Sequence, residues 1–224
     1  MNRSYLLIVD IQRGAAKNTL MVVLNCPNCG SDLDSRFAAA KMTTCTSCST
    51  TLFLESGHLR HAGSSGEMHD APVLFQIGQT TRAGDETYEI LGHARFSYGA
   101  GWWDEFFAIT DNAENVWISV DEGDVIVQCR IPKDAAPITP MPPALGTNVR
   151  YRGDDYRVTE TETATCIALR GEFPEVLEIG TTYTYVNCQG DGDILLSGEF
   201  SSGAPDWYAG VWLDQYTLKI ETIS

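Results

Sequence analysis

The sequence predicts a mainly β protein in two parts, a small cysteine ribbon followed by a two-repeat antiparallel β domain of sandwich or barrel-like form. Three observations carry this. Two Cys-x2-Cys pairs stand 15 residues apart near the N-terminus. From Val73 onward, short runs of alternating apolar and polar residues are punctuated by Gly, Asp and Asn turns. The pattern of that region's first half then returns in its second, offset by 68 or 69 residues: Ile77-Gly78 with Gly84-Asp85-Glu86 is echoed by Leu145-Gly146 with Gly153-Asp154-Asp155.

Residues 1–20 carry no helix cap, apolar period or turn, whereas Met21-Val22-Val23-Leu24-Asn25-Cys26 reads as the opening of a ribbon. The expectation is a poorly ordered extension, with the true translation start at Met21. Residues 21–55 make the ribbon. Cys26-Pro27-Asn28-Cys29-Gly30 and Cys45-Thr46-Ser47-Cys48 each form a knuckle whose backbone amides point at sulfur, and Gly30 suits the positive φ that follows such a turn. The spacing of Cys26, Cys29, Cys45 and Cys48 is that of a zinc ribbon, with iron as the alternative metal. Four thiolates leave no open position, so a Zn2+ ion there is structural and supplies most of the folding free energy of so small a module. Strands are expected at Val22–Asn25 and Thr50–Leu54. Replacing Cys26 or Cys45 by Ser is expected to release the metal and unfold residues 22–54 while the β domain stays intact.

Residues 56–72, rich in Gly and Ser, read as a flexible linker, and His58, His61 and His69 in it read as solvated side chains rather than a second metal site. The β domain spans 73–224, with repeats at about 73–131 and 144–222. Strands are expected at 87–91, 102–109, 115–120 and 124–129, then at 156–160, 164–169, 182–186, 193–197 and 216–220. Between the repeats, residues 132–143 hold five of the nine prolines, a connector too poor in N–H donors for a central strand.

Charge narrows the partners. Lys and Arg total 15 against 30 Asp and Glu, a net charge of -15. Six basic and six acidic side chains precede residue 73, so the β domain, with nine basic against 24 acidic, carries the whole excess. Such a field disfavours nucleic acid and anionic lipid and favours cationic partners, whether basic proteins, polyamines or metal ions. No run approaches the roughly 20 apolar residues of a membrane-spanning helix. The Tyr5–Val9 run is cut by Asp10 and lacks a cleavage site, which argues against a secretory signal; a cytoplasmic location is the default. Seven cysteines, four of them in two close pairs, fit a reducing compartment better than a disulfide scaffold.

The order of Tyr88-Glu89-Ile90-Leu91-Gly92, Trp103-Asp104-Glu105-Phe106, Val116-Trp117-Ile118, Tyr156-Arg157-Val158-Thr159-Glu160, Gly171-Glu172-Phe173-Pro174 and Gly198-Glu199-Phe200 resembles the bacterial domain-of-unknown-function family 4178 over residues 74–218. The resemblance implies a cytoplasmic bacterial protein, often with an N-terminal zinc ribbon, encoded near polyamine-synthesis or envelope-stress genes. It implies no reaction. Phe106 stands where the family often has Trp or Tyr, so a polar contact from that ring does not carry over.

The family-like carboxylates Glu105, Glu160, Glu172 and Glu199, with Trp103, are the candidate binding residues. In a strand at 102–109, Trp103, Glu105, Phe107 and Ile109 share one face and Trp102, Asp104, Phe106 and Ala108 the other. Each face is apolar with one carboxylate, and each carboxylate therefore needs a dedicated partner or a rim. Cys129, Cys166 and Cys188 read as core residues. His93 has no recognisable catalytic partner in sequence, and no nucleotide-binding glycine fingerprint is present. Three functions follow. The first is a non-enzymatic adaptor whose ribbon recruits a protein partner within a stress or envelope-maintenance complex. The second is a module binding a small cation such as a polyamine, and the third a glutamate-dependent hydrolase or transferase. An acidic, aromatic-walled cavity near Glu105 would favour the second, and converging carboxylates with raised pKa the third.

Overall fold

Strand pairing in this chain closes a ring. The computed structural model describes residues 24–33, 39–55, 58–66, 68, 71–139, 141–201 and 203–221. The expected extension at 1–20 and His69 lie outside them. The N-terminal strands are β1 (Leu24–Asn25), β2 (Asp32–Leu33), β3 (Met42–Thr44), β4 (Thr50–Glu55) and β5 (His58–Ser64). The first half of the large domain supplies β6 (Thr80–Ala83), β7 (Glu86–Ser97), β8 (Trp102–Thr110), β9 (Asn115–Asp121) and β10 (Asp124–Arg130). The second supplies β11 (Asn148–Tyr151), β12 (Asp154–Phe173), β13 (Thr182–Gln189), β14 (Ile194–Phe200), β15 (Asp206–Leu213) and β16 (Lys219–Ile220).

Neighbours pair antiparallel in the order β7-β8-β9-β10-β15-β14-β13-β12, and β12 returns to β7. These eight strands form a closed barrel. The two halves present the same sequence of elements, a short strand turning into a long one and then three more. They meet end to end at β10–β15 and start to start at β7–β12. Closure falls where β7 and β12 are bulged and where two glycines, Gly92 and Gly171, stand opposite each other. A Cβ on Gly92 would lie 2.4 Å from the Glu172 carbonyl oxygen, so the close approach admits no side chain.

Side-chain alternation explains why the strands are apolar on both faces. Phe96, Trp103, Phe107, Trp117 and Tyr208 point into the lumen and pack there. Residues of opposite parity, including Phe106, Ala108, Val116 and Ile118, form an outer core beneath Phe75 and Ala83. The second half is covered in the same way, with Val149 and Tyr151 of β11 and Ile131 lying over Val158, Val186 and Leu196. Cys129, Cys166 and Cys188 are core residues, their thiols pushed up to about 12 chiefly by burial.

Two segments differ from their sequence reading. Within the expected linker, residues 58–64 form β5 on β4, and Gly66 bridges to Ala168. A Cβ at Gly66 (φ +71) would sit 2.1 Å from the Ile167 carbonyl oxygen. Its small size is what lets the chain lie against β12. The expected strand at 216–220 is instead a 3-10 turn, Gln215–Thr217, followed by the two residues of β16. Asp214 caps the turn by accepting from the Tyr216 amide at 3.0 Å, which draws the backbone out of the extended form.

The ribbon is tied into the barrel. β3 extends the edge of β12 through Glu172↔Thr43 and Phe173↔Met42, and Met42 is wholly buried in the lumen cluster. Among the described residues no helix is long and apolar enough to cross a membrane.

Candidate functional site

The ribbon brings its cysteines together as their spacing requires. Cys26, Cys29, Cys45 and Cys48 place their sulfurs within 4.8 Å of one another, with Cys26–Cys48 and Cys29–Cys45 each at 3.7 Å. A tetrahedral site with metal–sulfur bonds near 2.3 Å has edges of about 3.8 Å, so the four thiols are grouped as a metal ion would require. The two knuckles are built alike. Gly30 N donates to Cys26 O at 2.8 Å and Ser49 N to Cys45 O at 2.9 Å, and both donors have positive φ, 77° and 54°. The sequence signals this at Gly30 but not at Ser49.

The barrel lumen opens into a cavity of about 410 Å³. An eight-stranded barrel leaves room for packed side chains or one small ligand, and here the space is divided between the two. The aromatic cluster fills one part. The cavity occupies the rest, lined by eight carboxylates and seven aromatic rings, with no Lys, Arg or His among the described lining residues.

The carboxylates differ in depth. Asp121, Glu122 and Asp124 come from the β9–β10 hairpin, whose positive φ at Glu122 and Gly123 makes the tight turn that carries them. With Glu160 and Glu162, exposed on β12, they contribute to the more open part of the wall. Glu105 and Glu199 lie deeper. Oε1 of Glu105 accepts from Ser119 Oγ at 2.7 Å and Trp103 Nε1 at 3.1 Å, and Gln128 Nε2 donates to Ser119 at 3.1 Å. Oε2 of Glu105, Oε1 of Gln128 and Oδ1 of Asp121 are buried acceptors without a hydrogen-bond partner. Asn187 joins the second half to the site, donating to Glu160 at 2.8 Å and accepting from Ser197 at 2.8 Å.

Burial sets the electrostatics. Desolvation, opposed by the Ser119 and Trp103 hydrogen bonds and reinforced by Asp104, pushes the Glu105 carboxyl up to about 7. Glu199 rises to about 8, from desolvation and then from the charges of Glu175, Asp206 and Glu105, which outweigh Arg130. Glu175 is raised chiefly by burial despite Arg130 3.5 Å away. Asp121 is raised by burial and its acidic neighbours.

Of the five candidate residues in the large domain, Trp103, Glu105, Glu160 and Glu199 line this cavity. Glu172 does not; it is buried where β12 meets β3, opposite Thr43. Asp104, on the other face of β8, meets His93 Nε2 at 2.7 Å and Arg95 Nε at 2.7 Å. Burial pushes its carboxyl up, but His93 and Arg95 outweigh that and hold it below the usual range. Ser119, Gln128, Tyr185 and Asn187 were not singled out from sequence. For Ser119, Gln128 and Tyr185 the available signal is inward parity within expected strands; Asn187 lies one residue beyond the expected strand at 182–186, on the observed β13, and the chemistry of all four becomes visible only when the ring closes.

No curated protein and no solved structure matches the chain. Residues 76–215 match the family described as Domain of unknown function (DUF4178), a span that takes in the whole barrel from β6 to β15. The chain therefore belongs to the DUF4178 family.

Proposed function

We propose that the barrel is a receptor for a small organic cation of the polyamine class, carried by a protein whose ribbon binds structural zinc. One observation supports this above the rest: a cavity walled by eight carboxylates and seven aromatic rings with no basic lining residue. Carboxylates supply ion pairs, and Trp and Tyr faces supply cation–π contact with an alkylammonium chain. Outer carboxylates raise the local concentration of cations before binding. The four-thiol geometry supports zinc, since closed tetrahedral thiolate sites favour it. Seven cysteines with no disulfide among them support a cytoplasmic location. The recurrence of strand order supports reading the halves as repeats.

The test uses the cavity's own reporters, Trp103, Trp117 and Trp212. Spermidine at low salt is expected to change their fluorescence saturably, and added salt to weaken the effect. A flat titration would remove the reading.

A second reading has one observation in its favour. Glu105 and Glu199, both with raised pKa, lie in one cavity, as in a glutamate-dependent hydrolase or transferase. Recovery of the bound cation unchanged after long incubation would separate a receptor from such an enzyme. The adaptor reading gains less, because the ribbon strand β3 is already engaged by β12 and Met42 by the barrel core.

A further inference from the structure

The buried orphan acceptors pose a problem that any cation receptor must solve while empty. Glu105 has one oxygen fixed by two donors, Ser119 and Trp103, and the other out of solvent with no partner. Leaving a carboxylate oxygen buried and unpaired is costly. Gln128 repeats the situation on the same network: its amide donates to Ser119, which donates onward to Glu105, so the orientation is fixed and Oε1 is the atom left over. Both leftover atoms are acceptors. A single proton on Glu105 Oε2 turns one of them into a donor and leaves Gln128 Oε1, carried by the same Ser119 hydroxyl, as an acceptor on the same network.

Among the described residues, no counter-charge faces Glu105. Asp104 flanks Glu105 on its own strand, and its cationic partners Arg95 and His93 are committed to the outer face. The other ionisable groups lining the cavity are Glu199 of β14, Tyr185 of β13 and Tyr208 of β15, with Asp121 and Glu122 of the β9–β10 hairpin, Asp124 of β10, Glu160 and Glu162 of β12, Tyr98 beyond β7, and Glu175 after β12. Every one of these groups is acidic or neutral. Arg130 serves Glu175 and Asp206.

We infer that cation entry into the barrel is exchanged for proton release: the empty cavity holds a proton on Glu105, and the bound cation takes over as its counter-charge. The inference rests on reading the cavity as a cation site. In the exchange the Glu105 O–H bond breaks, the proton passes to bulk buffer, and the electron pair stays on the carboxylate facing the ligand's positive charge. Nothing is oxidised or reduced. The carboxyl's raised pKa, caused first by desolvation, agrees with this assignment. The Glu105 contribution to binding therefore strengthens with pH by up to about tenfold per unit on the acid side of that value and levels off above it.

The experiment is calorimetric titration of the full chain with spermidine, near the Glu105 pKa of about 7, in two buffers matched in pH but differing in ionisation enthalpy. The expected result is an apparent heat that differs between buffers in proportion to a released proton, with the difference lost or sharply reduced in Glu105→Gln. Equal heats in the native protein overturn the exchange while leaving the cation site standing; no heat in either buffer overturns the cation reading, and the exchange with it. A second measurement needs no ligand. The infrared carbonyl band of a protonated carboxyl is expected in the ligand-free protein at neutral pH, should fade as the pH is raised and should lose intensity in Glu105→Gln, with Glu199, itself raised to about 8, supplying the remainder. Absence of the band, or of that loss, overturns the inference.

Discussion

Asp104 and Glu105 are neighbours on β8 with opposite fates. Asp104 faces outward and is met by His93 and Arg95, whereas Glu105 faces the lumen and has only neutral donors. Replacing Asp104 by Asn removes the carboxylate that pairs with the wholly buried Arg95. The expected loss is about 3–5 kcal/mol, measured by urea unfolding against the native chain. Glu105 behaves in the reverse sense. Its folded pKa is raised, so the folded state holds more protons than the unfolded one between the ordinary carboxyl range and about 7, and stability falls as pH rises through that window. Ligand-free protein should therefore melt higher at mildly acidic pH than at mildly alkaline pH, and Glu105→Gln should weaken that dependence, Glu199 supplying the rest, and raise the alkaline melting temperature by roughly 5 °C. Thermal scans across the range check both. The alternation of residues 102–109 made it legible that each face carries one carboxylate. The cations that answer Asp104 come from another strand, 9 and 11 residues away, and local pattern does not report which carboxylate they meet.

Among the elements, β12 departs furthest from its sequence pattern. Its 20 residues were expected as two strands, at 156–160 and 164–169, because Thr161-Glu162-Thr163 has no apolar face. That stretch is exposed yet paired with β13 throughout, so backbone pairing rather than burial holds it extended. β15 was missed for the opposite reason: Trp207, Tyr208, Ala209 and Val211 are all buried, so the segment shows no alternation. The cysteine pairs of the ribbon, by contrast, are legible, since metal ligation depends on local spacing, although the positive φ at Ser49 is not. Residues 58–66 were hidden by their composition, because Gly and Ser read as flexible unless the neighbouring strand is known. Arg170 reaches Ser65 Oγ at 2.9 Å and its carbonyl at 3.1 Å, fastening the segment that Gly66 allows to approach. Gly66→Ala is expected to destabilise the protein by more than about 1 kcal/mol through the clash and the positive φ. A shift in the denaturant midpoint would register it, and an unchanged midpoint would mean that this contact contributes nothing.

At the scale of the whole molecule, the mainly β character and the uneven charge were legible, but ring closure was not. The β7–β12 and β10–β15 pairings join residues far apart in the chain, and only they turn scattered glutamates into one cavity wall. Closure also changes the expected relation between ribbon and barrel. Met42 lies in the same buried cluster as Trp103 and Trp117, so metal loss should not be confined to residues 22–54. Chelation is expected to lower the melting temperature reported by the barrel's tryptophans by several degrees, a fall of roughly 1–2 kcal/mol. An unchanged tryptophan transition after metal release would show the two parts to be independent. The strongest single test of a cation receptor is calorimetry of the full chain with spermidine at low salt. Saturable one-to-one binding, weakened by salt and abolished when Glu105 and Glu199 are both replaced by Gln in a chain that still melts cooperatively, is the predicted result. No heat of binding, or binding unchanged by that double replacement, would contradict it.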